Sequence, residues 1–281
     1  MAVFLGLLVA AAYGAGDFFG GLSAKRNPAT SVVAVSQLSG LLLLLVGMAA
    51  WRPDMAPGRD LLLGAASGLI GVVGVVLLYR GLASGAMGVV APLTGVGAAV
   101  LPVGWGLLSG ERPSALSLVG VVAALGAIVL VASGEGDGDG ERRPTGRTGV
   151  LLALGAGAAF GGVFIILAAT GDDAGFWPLV TARTASVGVM ALVALTGRFR
   201  FRIVKGTLLL VVAAGVLDVT ANGLFLLAAR EGLLSLVAVL SSLYPAATAF
   251  LARLVLGERL QRPQLAGVGL ALAGVTLIAA G

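Results

Sequence analysis

The segment LLSGERPSALSLVGVVAAL (Leu107–Leu125) returns 147 positions later as LVLGERLQRPQLAGVGLAL (Leu254–Leu272). Gly110-Glu111-Arg112 falls on Gly257-Glu258-Arg259, Gly120-Val121 on Gly267-Val268, and Ala124-Leu125 on Ala271-Leu272. Apolar residues coincide by chance in a chain that is 58% hydrophobic, but a charged triplet entering a matched apolar run does not come cheaply. Carried outward without a gap, the same register sets Gly68 on Gly215, Gly85 on Gly232 and Val90-Ala91 on Val237-Ala238. Self-similarity at a fixed offset marks an internal repeat. The chain is two copies of one unit.

Charge says what the unit is. Only 11% of the 281 residues are charged and the mean hydropathy is +1.06, whereas soluble domains carry about 25% charged residues. A surface so poor in charge must face lipid. Nearly uncharged stretches run at 2–22, 32–51, 61–78, 86–108 and 115–132, then at 150–169, 178–196, 208–229, 233–256 and 265–280. Roughly 20 apolar residues of helix cross the hydrocarbon core, so ten crossings are expected. The stretches lack the alternation of an outer-membrane strand, and the first is too long, and lacks the basic flank, for a cleaved signal. The 45 glycines suit close helix packing in lipid. Between the halves, SGEGDGDGERRPTGRT (Ser133–Thr148) reads as a solvated linker. Its acids fail the EF-hand pattern, because the required glycine falls on Arg142. The expected organisation is a first five-helix repeat at 2–133, a linker at 134–147 and a second repeat at 148–280.

Without cysteine or histidine, thiol and imidazole chemistry is excluded, and neither cofactor nor metal is expected. The net charge of +5 fits basic loops at an anionic leaflet better than nucleic acid. An odd number of crossings per unit makes the second copy enter from the opposite side. The expected fold is thus all-α and integral to the membrane, with ten transmembrane helices as two inverted five-helix repeats. Inverted repeats recur in secondary transporters, with the substrate site at the midplane between the halves.

The repeated Gly-Glu-Arg, together with LLYRGLASGAMGVVAPL (Leu77–Leu93) and EGLLSLVAVLSSLYPA (Glu231–Ala246), resembles the EamA family of the drug/metabolite transporter superfamily. The resemblance covers both halves and implies ten helices and transport of small metabolites or drugs. It leaves the substrate open.

Ionisable residues inside spans are costly and point to function. Asp218 lies at the centre of its span, with Asn222 one turn on along the same face. Asp17 shares a face with Tyr13 and either lines a cavity or caps backbone or Arg26. Arg183, with Gln37 as its approximate counterpart in the first half, either snorkels, binds an anion or neutralises Asp218. Arg253, one turn from its helix end, snorkels. Pro92, Pro102 and Pro245 should break the repeat-equivalent fourth and ninth helices, freeing carbonyls at depth. Thr94, Ser241, Ser242 and Tyr244 flank those breaks as hydrogen-bonding candidates, and Tyr79 lines the site or anchors at the interface. Proton coupling is expected through Asp218 or Asp17, with simple exchange or facilitated efflux as the alternative. Glu111 and Glu258 read as structural acids at the N-termini of the following helices.

Gly14-Ala15-Gly16-Asp17 spells the GxGD of aspartyl intramembrane proteases, but it lies on the first helix, seven helices before Asp218. No GxxxxGK[ST] occurs, so this chain carries no P-loop ATPase of its own and a gradient must drive flux. The expected function is secondary active transport by alternating access, as an exporter of amino acids, their derivatives or amphipathic compounds. Lipid or lipid-linked sugar translocation and a flux-free scaffold are the rivals. The expected partners are a small-molecule substrate, the bilayer and a coupling proton, in a monomer or homodimer of the plasma membrane. Loops after odd-numbered helices hold 12 Lys and Arg against 4 on the other side. That places the linker in the cytoplasm, while the resembled family usually keeps its termini inside. Both arguments put the two termini on one side.

Overall fold

The structure, a computed structural model, describes residues 1–83, 87–132, 147–196, 201–256 and 262–281. Most of the linker, the second Gly-Glu-Arg triplet with its Glu258, and Gly85 lie outside the described residues, as does the side chain of Arg253. The described chain is helical: α1 (Ala2–Ala24), α2 (Ala29–Trp51), α3 (Gly58–Ala83), α4 (Met87–Leu108), α5 (Ala115–Ala132), α6 (Arg147–Ala168), α7 (Trp177–Leu195), α8 (Leu208–Glu231), α9 (Leu234–Ser241), α10 (Tyr244–Leu256) and α11 (Arg262–Ala280). Six of these, α1, α2, α3, α6, α7 and α8, are long and apolar enough to cross a membrane. The other apolar stretches are shorter, such as Leu93–Leu108 in α4 and Ala115–Leu130 in α5. Leu62, Leu108, Val122 and Leu195 point outward. In water such a surface would be an aggregation hazard; against acyl chains it is matched.

The helices approach through glycines. A methyl placed on Gly68 of α3 would run into the Ala182 carbonyl of α7. A methyl on Gly215 of α8 would run into the Ser36 carbonyl of α2. Gly68 and Gly215 are the pair matched by the repeat, and each seats its helix on the opposite half. Helices α5 and α11 cross antiparallel. Gly120 faces Gly274 and Ile278, Gly126 faces Leu270, and Gly281 reaches Ser114 and Ser117.

One end of the bundle gathers several termini. Ala2 touches Gly232 at the α8–α9 junction, and the last residue, Gly281, meets the start of α5. Glu111 lies there too. Its carboxylate accepts from the Leu234 and Ser235 amides at 2.8 and 3.0 Å. It therefore caps α9 in the other half, not α5 as expected. The α5 terminus has its own cap, Ser114 Oγ accepting from the Ser117 amide at 3.0 Å. Gly110, at φ 95°, takes the left-handed turn that swings Glu111 across. At the opposite end Asn27 joins loops of the two halves, donating to Thr207 Oγ1 at 2.9 Å and accepting from the Val204 amide at 2.8 Å.

The proline expectation needs correction. Helix α4 runs unbroken through positions 92 and 102. The matching segment of the second half divides into α9 and α10 at Ser242–Leu243, just before Pro245. A proline near the start of a helix sacrifices no hydrogen bond, and Pro245 has that place in α10. The 22-residue α4 keeps its course around its two prolines, held against α6 by Thr94 donating to the Ala153 carbonyl.

Candidate functional site

Helices α1, α2, α3, α4, α6, α7 and α8, with the first residue of α10, surround a cavity of about 770 Å³ counted out to its mouth. Most of its wall is apolar, from Val72, Val75, Val163 and Leu179 among others. Its carboxylate and guanidinium side chains are Asp17, Arg183 and Asp218, drawn from both halves.

Arg183, on the second turn of α7, is buried. Its guanidinium donates through Nη1 to Gln37 Oε1 on α2 and through Nη2 to Asp218 Oδ2 on α8, where it forms an ion pair. Glycine makes room for it. A methyl on Gly40 of α2 would sit 3.1 Å from the Gly215 carbonyl and 3.6 Å from Arg183 Nε. Asn222 donates back to the Asp218 carbonyl at 2.7 Å. The result is a fixed polar strut across α2, α7 and α8, its positive charge answered by one carboxylate.

Asp17 is different. It lines the same cavity half-buried, and its carboxylate has no hydrogen-bond partner among the described residues. The α1 backbone beside it is stripped to glycine. Gly14 lies against the Tyr244 carbonyl, Gly16 against Ala214 and the Asp218 amide, and Gly20 against the Tyr79 hydroxyl. Tyr13, one turn earlier, meets the Tyr244 ring edge-on, with centroids 6.4 Å apart at 67°. It also meets Phe164 at 6.1 Å, and Phe164 stacks on Phe225 at 4.2 Å. Asp17 thus shares its end of the cavity with aromatic rings.

The comparisons with known proteins agree with this architecture. The model of the EamA-like transporter family matches residues 1–133 and again 147–280. The chain belongs to the EamA-like transporter family. It is a multi-pass membrane transporter of the drug/metabolite type, not an enzyme. An uncharacterized protein of Methanocaldococcus jannaschii is 30% identical over 131 residues, which cover 95% of that protein and 46% of this chain. That relative is therefore about the size of one repeat. A solved crystal structure superposes with a TM-score of 0.76 at 19% identity, covering 98% of this chain and 95% of that one. At that identity the likeness speaks for the fold alone.

Of the residues singled out in this EamA-family sequence, Asp17, Gln37, Tyr79, Arg183, Asp218, Asn222 and Tyr244 line the cavity together. Tyr79 is buried, so it is no interfacial anchor. Thr94 is elsewhere, spent on the α6 contact. Ser241 and Ser242 are buried at the α9–α10 break, outside the cavity wall, and their hydroxyls have no partner among the described residues. Tyr13, Ser67, Phe160, Phe164 and Ser186 line the cavity without having been chosen. The i, i+4 spacing of Phe160 and Phe164, in a stretch otherwise of alanine and glycine, was the available signal for two of them. The GxGD reading fails on chemistry as well as position. An aspartyl protease needs two carboxylates sharing a proton, and Asp218 is taken by Arg183.

Proposed function

We propose that this chain is a secondary active carrier exporting small metabolites or drugs across the plasma membrane. It crosses ten times as two inverted five-helix repeats, with both termini on one side. The antiparallel crossing of the equivalent helices α5 and α11 supports the inversion. So does Glu111, which carries the C-terminal end of α4 to the N-terminus of α9, the start of its repeat-equivalent segment. The observation that carries the proposal is the ionisable cavity walled by both halves. Halves of equivalent structure can exchange conformations, opening the same site to either side in turn. Coupling runs through Asp17. Asp218 already has its counter-ion in Arg183, whereas Asp17 has none among the described residues, and it is the carboxylate available to take a proton from a gradient. One chain encloses the whole cavity, so a monomer suffices.

The natural absence of cysteine gives a clean test. Ser67→Cys and Ser186→Cys place single thiols on the cavity wall. An impermeant methanethiosulfonate should modify them in right-side-out and in inside-out vesicles alike. Labelling from one side only overturns alternating access. A thermal-shift screen across metabolite classes supplies a cargo. Its pH-gradient-driven flux in proteoliposomes should vanish in Asp17→Asn, and flux that persists refutes the coupling assignment.

A further inference from the structure

We propose that the cargo is an organic monocation with an aromatic or broad apolar body, its positive charge against Asp17 and its body among Tyr13, Tyr79 and Tyr244. This inference rests on the transporter reading and adds a substrate class to it. Three observations on the cavity point the same way.

The first is charge. The wall carries two carboxylates and one guanidinium, which leaves one negative charge uncompensated. A cargo completing the site supplies one positive charge. The second is the state of the guanidinium. An anionic or zwitterionic cargo would have to compete with Asp218 for Arg183, whose terminal nitrogens each donate already, one to Gln37 and the other to Asp218. Releasing Arg183 to a substrate carboxylate would strand Asp218 without its partner, and an unpaired buried charge is heavily penalised. The ion pair of the strut thus disfavours an anionic cargo. The third is the company Asp17 keeps. Tyr13 and Tyr244 meet edge to face on its side of the cavity, and the Tyr79 hydroxyl lies against Gly20 one turn along α1. Aromatic faces attract organic cations, most strongly where water is excluded. An aromatic group around a carboxylate that lacks a partner among the described residues suits a quaternary or protonated amine better than a metal ion, which would need several oxygen ligands.

The test uses the full-length protein in detergent micelles and three ligands sharing one ring: phenyltrimethylammonium, benzyl alcohol and benzoate. The quaternary ammonium has no proton to lose, so its charge is fixed. Isothermal titration should show the cation binding about tenfold or more tighter than either of the others. Asp17→Asn should erase that preference, and Asp17→Glu, which restores the charge one methylene further out, should recover most of it. Equal affinities for the three ligands, a preference for benzoate, or a cation preference undiminished in Asp17→Asn would each overturn the assignment. The ligand series on the natural protein decides the matter even if a variant fails to fold. The thiol-labelling result separates the two claims. Two-sided labelling with no cation preference removes the cargo class and leaves the carrier standing, while one-sided labelling removes the carrier.

Discussion

Replacing Glu111 by alanine should loosen α9, a helix more than a hundred residues away in the other half. The carboxylate accepts two backbone amides, Leu234 at 2.8 Å and Ser235 at 3.0 Å, both orphan donors of the first turn of α9. Losing a capping side chain typically costs about 1 kcal/mol, and the charge at a helix N-terminus adds about 0.5 kcal/mol. With two amides served by a partly exposed carboxylate, the expected loss is about 2 kcal/mol for Glu111→Ala and about 1 kcal/mol for Glu111→Gln. Thermal unfolding in detergent, followed by tryptophan fluorescence, should show the alanine variant melting about 5 °C lower. Gly106→Ala offers an independent perturbation. A methyl there would lie 2.7 Å from the Glu111 carboxyl carbon and push it off its amides, so it should reproduce much of the loss. Hydrogen exchange locates the effect. Protection should fall in the first turn of α9 and hold in the first turn of α5, which Ser114 caps. A Glu111→Ala protein as stable as the parent, or one whose α5 amides loosen in place of those of α9, would refute the reasoning.

Two further predictions follow from the same contacts. Arg183→Met removes the counter-ion of Asp218, and the uncompensated carboxylate should cost about 3 kcal/mol, read as a fall in the chemical-denaturation midpoint. Adding Asp218→Asn to that variant should recover a large part of the loss, and a double variant no more stable than Arg183→Met argues against the pair. Gly68→Ala sets a methyl on the Ala182 carbonyl. Overpacking of this kind costs about 1–3 kcal/mol, so melting should drop clearly, whereas Gly47→Ala, with open space at its Cβ, should leave it unchanged.

Much of the site was legible along the chain because charges are so scarce. In a protein with 11% charged residues, Asp17, Arg183 and Asp218 stand out inside apolar runs, and all three reached the cavity wall. What one-dimensional reading missed was partnership. Asp17 and Asp218 look alike in sequence, yet among the described residues only Asp218 is paired, carried to Arg183 by the α7–α8 approach. Proline misled for a related reason. Its local effect depends on where it falls in a helix and on what holds that helix, so Pro92 and Pro102 left α4 whole while Pro245 begins α10. Thr94 went to the α6 contact, and of the two places open to Tyr79 the cavity was taken, because a helix face cannot be assigned to a neighbour until the neighbours are in place.

The helical membrane class and the doubling of one unit were written in composition and repetition alone. Both depend on properties each residue keeps in any context: transfer free energy to lipid, and identity at a fixed offset. The destination of Glu111, the counter-ion of Asp218 and the exclusion of Asp17 from that pair belong to the folded chain only. They are distances between helices far apart in sequence, and those distances are set by glycines whose missing side chains mean nothing until another backbone arrives against them.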